Sequence, residues 1–173
     1  MKLRYLLLPI SAVLLIPAAM LPASADTSGA SITLTGGSLS ITAPATADLG
    51  TRANTVGGGT ISGALGQVQV NDARIAAAGS GWVATGISTA FTPPAGPAIA
   101  ASAVSYSAGA ITKVGTAEYA ANNPGNMTAV NPVVTATGIT GDNSATWNPT
   151  ITVTVPGGMA AGTYSATITE SVS

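Results

Sequence analysis

Ile151-Thr152-Val153-Thr154-Val155-Pro156-Gly157-Gly158 alternates apolar and hydroxyl side chains over five residues and then stops at Pro-Gly-Gly. A period of two puts Ile151, Val153 and Val155 on one face and the threonines on the other, the pattern of a strand with one face in a core and one in water. Proline fixes φ and glycine allows positive φ, so the strand ends in a reversal. The same alternation recurs at Ile32 and Leu34, at Leu39 and Ile41, at Val68 and Val70, and at Tyr164, Ala166 and Ile168. Turn signals separate these runs at Thr35-Gly36-Gly37, Val56-Gly57-Gly58-Gly59, Gly79-Ser80-Gly81, Pro93-Pro94-Ala95-Gly96-Pro97, Asn122-Asn123-Pro124-Gly125-Asn126 and Pro156-Gly157-Gly158. No stretch carries a charged-and-apolar helical stripe over three turns, and the Ala-rich residues 98–103 read as a strand continuing into Ser105 and Tyr106. The spacing predicts an all-β fold, a two-layer antiparallel β-sandwich of about eight to ten short strands in Greek-key-like order.

At the N-terminus, Lys2 and Arg4 precede an apolar run over residues 5–21 that is interrupted by Pro9 and Pro17 and followed by Ala23-Ser24-Ala25. A short basic region, an apolar stretch and an A-x-A site are the parts of an export signal, and two prolines argue against a spanning helix. Residues 1–25 are therefore expected to be removed, leaving 26–173 as one secreted domain with no membrane attachment. That length suits a single hydrophobic core.

Charge and composition narrow the function. Residues 26–173 hold three basic side chains, Arg52, Arg74 and Lys113, against six acids, Asp26, Asp48, Asp72, Glu118, Asp142 and Glu170. Neutralising phosphates takes several Lys or Arg on one face, so no nucleic-acid partner is expected. The chain has no Cys and no His. A Ser-His-Asp triad, a Cys-His pair, a disulfide and a His- or thiolate-based metal site are all excluded. Two of the carboxylates could in principle cleave a glycan, but nothing in their spacing pairs any two of them. The expectation is a protein that is not an enzyme and needs no cofactor and no metal.

The glycines of residues 56–66 do not fit G-x-G-x-x-G and no Lys follows them, so this stretch is a surface turn or a glycine-weakened strand. Asn122 to Asn126 with Asp142 offers too few carboxylates for calcium. Lys113 with Glu118 could serve a Lys-to-Asn isopeptide crosslink, yet a lone Lys flanked by Thr112 and, two residues on, Gly115 reads as a solvated edge residue.

Asp72 and Arg74 lie two apart, on one face of a strand, and a turn at Gly79-Ser80-Gly81 can bring Trp82 back beside them. As a binding site, Trp82 would stack on a sugar while the ion pair fixed its hydroxyls; as structure, Trp82 would pack inside and the ion pair would pin the turn. A core with so few aromatics favours the structural role. Trp147 and the glycine-rich turns are the remaining candidates for a ligand surface, so the candidate ligand-binding residues are Asp72, Arg74, Trp82 and Trp147.

The order of segments adds a resemblance. Ser38-Leu39-Ser40-Ile41-Thr42-Ala43 leads to Asp48-Leu49-Gly50, then to Gln67-Val68-Gln69-Val70-Asn71-Asp72-Ala73-Arg74 and Gly81-Trp82-Val83-Ala84, and the chain closes on Ala161-Gly162-Thr163-Tyr164-Ser165-Ala166-Thr167-Ile168-Thr169. This set resembles the WxL domain of Gram-positive cell-surface proteins, with degenerate motifs: Trp82-Val83-Ala84 stands at the first W-x-L and Glu170-Ser171-Val172 at the second. The resemblance implies a non-catalytic, secreted cell-surface domain held non-covalently to peptidoglycan or another cell-wall glycan, or to a partner surface protein. The composition alone supports a second possibility, a structural subunit that self-associates into a coat or fibre through exposed sheet edges.

Overall fold

A computed structural model describes residues 28–173, and the predicted export signal, residues 1–25, lies outside the described residues. Among the described residues eight strands form: β1 (Leu39–Thr42), β2 (Gly59–Ala64), β3 (Val68–Ser88), β4 (Val104–Ser107), β5 (Ile111–Ala121), β6 (Asn131–Trp147), β7 (Thr150–Val155) and β8 (Ile168–Val172). They make two antiparallel sheets. The larger runs β1-β3-β6-β5 with β8 also on β3; the smaller runs β2-β7-β4.

The two sheets share one core. Val68, Val70, Trp82 and Ala84 of β3 and Val133, Val134, Ala136, Ala145 and Trp147 of β6 pack with Val104 and Tyr106 of β4 and Ile151 and Val153 of β7. The alternation that marks β7 in the sequence is realised, with Ile151 and Val153 buried while Thr150 and Thr154 face out. Long β3 and β6 give the larger sheet its shape, pairing from Val68↔Trp147 to Gly86↔Asn131 with register shifts between Asp72 and Trp82. On its other side β3 pairs with β1 near its start and with β8 near its end, so two strands from opposite parts of the chain share one edge.

Several expectations are corrected. Ile32 and Leu34 lie in no strand and are exposed. Gly79-Ser80-Gly81 does not separate two strands; it falls inside β3, where the extra residues are absorbed as bulges. The Ala-rich segment ends in a 3-10 turn at Ala101–Ala103 before β4 begins. Tyr164 precedes the last strand; an isolated bridge, Thr92↔Ser165, and a pair of hydrogen bonds between Thr89 and Thr167 hold that stretch before β8 starts at Ile168. Residues 59–64 are a strand, and glycine there has a steric reason: a Cβ on Gly63 would collide with the Leu49 backbone.

Candidate functional site

Asp72 lies in phase with Val68 and Val70, so the alternation of β3 carries a carboxylate inward. Arg74 answers it with a two-pronged contact, Nε to Oδ1 at 2.8 Å and Nη2 to Oδ2 at 2.9 Å, while the Arg74 backbone N–H donates to Oδ1 at 3.2 Å. Such fork-on-fork geometry is the strong form of a charge-assisted pair. The Asp72 side chain is fully buried and that of Arg74 is partly hydrated. The hydrogen bonds from Arg74 hold the Asp72 carboxyl below the usual range, against the opposing effect of its burial.

Arg74 Nη2 also reaches the Gly81 carbonyl at 3.4 Å, which ties the two ends of the β3 bulge together. Ile75 takes φ 55°, a left-handed conformation rare for a β-branched residue, and its N–H donates to Asp142 Oδ1 at 3.2 Å. Trp82 follows the bulge, buried at 2 % exposure, and donates its Nε1–H to Asn143 Oδ1 at 3.0 Å. Asn143 is the register partner of Asp72, and the Tyr119 hydroxyl donates to the same Oδ1 at 3.1 Å. Two donors fix which end of the amide is oxygen. Its Nδ2 meets no acceptor in hydrogen-bonding geometry, although the side chain helps favour the charged form of Asp72. The Trp82 and Tyr119 rings lie 5.7 Å apart at a tilt of 58°, and Lys113 Nζ sits 5.9 Å over Tyr119. Burial, and then the charge of Asp72, raise the Tyr119 hydroxyl above its ordinary value.

Asp72, Arg74 and Trp82 are thus brought together, with Asn143 as the link. In this arrangement the indole is enclosed and its one polar atom is satisfied, so it offers no face for a sugar. Trp147 stands apart, as the last residue of β6 and four residues beyond Asn143. Its Nε1–H donates to the Tyr106 hydroxyl at 2.7 Å, and that hydroxyl donates to Glu170 Oε1 at 2.7 Å. Burial pushes Tyr106 far above the range in which it could ionise and also raises Glu170, whose Oε2 is buried without a partner.

Asn143, Tyr119, Tyr106 and Glu170 were not singled out for these roles by sequence. Asn143 alone had a usable signal, since it falls in phase with Ala145 and Trp147 on an inward face. Lys113 and Glu118, considered for a crosslink, lie on β5 with Lys113 Nζ 3.5 Å from the Ala117 carbonyl. No cluster of three or more acidic side chains suited to a metal occurs among the described residues.

Two rows on the outward face of the larger sheet are uncharged. Register aligns Thr42, Gln69, Thr146 and Thr112 in one row and Ser40, Asn71, Ser144 and Val114 in the next, with neighbours about 4.8 Å apart. At the end of the first row a shallow depression of about 410 Å³ is lined by Gln67, Ala110, Thr112, Thr146, Trp147 and Asn148. A second, of about 430 Å³, is lined by Thr89, Ala90, Thr92, Ser165, Ala166 and Thr167. Neither lining contains a titratable side chain. Such surfaces can exchange hydrogen bonds with hydroxyls and amides and can hold no charge. No protein-family model, no curated protein and no solved structure matches this chain.

Proposed function

We propose that the chain is a secreted, non-catalytic protein of the Gram-positive cell surface that associates non-covalently with a cell-wall glycan such as peptidoglycan, through a WxL-like sandwich whose crossovers follow a Greek-key-like order. The observation that carries this reading is the depression beside Trp147. Gln67, Thr112, Thr146 and Asn148 present amides and hydroxyls there with no charge, which suits a neutral sugar polymer, and Thr112 and Thr146 belong to the first row of the larger sheet. The ligand surface is thereby assigned to the outward face near Trp147 and not to Asp72, Arg74 and Trp82.

Cosedimentation of the protein with purified sacculi tests it. Thr112→Val with Thr146→Val removes two hydroxyls at nearly constant volume, so the fold is retained and binding is expected to fall sharply. Unchanged binding in that variant, or no binding by the parent, would overturn the assignment. A second reading, a self-assembling structural subunit, is favoured by one separate observation: the outer edge of β5.

A further inference from the structure

We propose that residues 31–35 of one copy of this chain add as a strand to the free edge of β5 in a second copy, joining protomers head to tail. This deepens the self-assembly reading and does not depend on wall binding.

The donor is legible as a strand without a sheet. Ser31-Ile32-Thr33-Leu34-Thr35 repeats the pattern of Ser38-Leu39-Ser40-Ile41-Thr42, most of which forms β1. Two alternating runs joined by Gly-Gly are a hairpin signal, but a hairpin turn of that kind needs positive φ. Neither Gly36 nor Gly37 has it, and the Gly37 N–H donates to the Ala73 carbonyl at 2.6 Å, so the hairpin is not made. Ile32 is left 89 % exposed and Leu34 83 %. Two aliphatic side chains in alternation, displayed to water where their counterparts Leu39 and Ile41 are partly buried, favour a partner.

The acceptor is identified by which sheet edges are already covered. Along β4, the Tyr106 N–H donates to the Pro124 carbonyl and the Ala108 N–H to Asn123 Oδ1. Along β2, the Arg52 guanidinium takes the Gly58 and Thr60 carbonyls and the Leu49 backbone presses on Gly63. β1 and β8 are four and five residues long. β5 is eleven residues long, with β6 on one side and, among the described residues, no strand on the other. Gly115, at φ 87° where the register with β6 shifts, breaks this edge into two runs. The longer, Thr116–Ala121, matches a five-residue donor and carries one charge, Glu118. On the side of the sheet where Tyr119 turns inward, its neighbours at spacing two are Ala117 and Ala121, small residues that leave room for Ile32 and Leu34.

The geometry also sets the kind of assembly. The donor leads directly into β1, which lies on the opposite side of the larger sheet from β5. Donor and acceptor are therefore different surfaces, the contact is heterologous, and it propagates as an open chain instead of closing in a symmetric dimer.

The chain has no cysteine of its own, which makes crosslinking a direct test. Single variants Thr33→Cys and Glu118→Cys, mixed and oxidised, should give a crosslinked pair containing one of each, and the double variant should give a ladder of higher species. Size-exclusion chromatography of the full chain should show oligomers that grow with concentration and are lost in Ile32→Asp with Leu34→Asp, while the melting temperature of the protomer is unchanged. A parent that stays monomeric at high concentration, or oligomers that persist in the aspartate variant, would overturn the proposal. A monomeric parent that still cosediments with sacculi would leave wall association standing while this interface fails.

Discussion

The two tryptophans are equally buried and differently employed. Trp82 belongs to a cluster drawn from β3, β5 and β6 of one sheet, and the acid at its centre, Asp72, has its own cation. Trp147 belongs to a chain that runs from β6 through Tyr106 on β4 to Glu170 on β8, crossing from the larger sheet to the smaller and back, and the acid at its end has, among the described residues, no cation and one orphaned oxygen. The first cluster locks an irregularity within a sheet. The second fastens two sheets together. The difference is that the same inward alternation can bury a carboxylate in two ways: ionised, with an arginine fork beside it, or with its proton retained to higher pH because ionisation would leave charge in the core.

Removing Trp82 breaks the first cluster outright. Trp82→Ala is expected to cost about 3–5 kcal/mol, and at about 2–4 °C per kcal/mol for a domain of this size the melting temperature should fall visibly. If this variant instead melts like the parent and stops binding sacculi, the cluster is a ligand site and its structural role is wrong. Arg74→Gln is a smaller insult, about 1–3 kcal/mol, because the guanidinium is partly hydrated and the lost pair is discounted for that. Its pH dependence carries the signature. The folded Asp72 value lies below the ordinary 3.8, so the stability from this group is present above the unfolded value and is lost as pH falls through the folded one. Urea unfolding of the parent should therefore show a loss on acidification that is reduced in Arg74→Gln; parallel profiles would remove the pair from the argument.

The smallest expected effect has the opposite sign. Glu170 is raised by burial above the ordinary 4.5, so the unfolded chain releases the proton first and stability falls as pH rises from about that value through the folded one. Glu170→Gln keeps an acceptor for the Tyr106 hydroxyl and removes the titration. It should match the parent near pH 4 and exceed it by about 1 kcal/mol or less at neutral to alkaline pH. A variant less stable than the parent across the whole range would show that the carboxyl is needed in its charged form.

The local periodicity of the chain was enough to read β1, the start of β3 and β7, but no alternating run marked β5 or β6. Leu39 and Ile41, Val68 and Val70, and Ile151 to Val155 all sit where alternation places them, because a period of two is a property of the strand itself. Pairing was less legible. Ile32 and Leu34 alternate as well as Leu39 and Ile41 do, yet strand formation depends on a neighbour, and only the second pair has β3 beside it. Glycine was the other ambiguity: at residues 79–81 it makes a bulge inside a strand where a reversal was expected, since both uses exploit the same tolerance of φ. For the site, Asp72, Arg74 and Trp82 could be grouped because they are close in sequence. Asn143, which joins them, and the Trp147, Tyr106 and Glu170 chain could not, because each depends on contacts between strands far apart along the chain.

One strand, β3, takes its neighbours from both early and late sequence: Asp72 pairs back to Leu39, and Ser88 waits for Ile168. A chain that emerges in order can lay β1 against β3 at once, but half of that edge stays open until β8 has been made. Pairings this distant carry a loop-closure cost before any contact repays it, so folding should be slow and should finish late. During that interval β3 offers a vacant edge to any chain nearby, and the period of greatest risk of mispairing falls before the last strand docks.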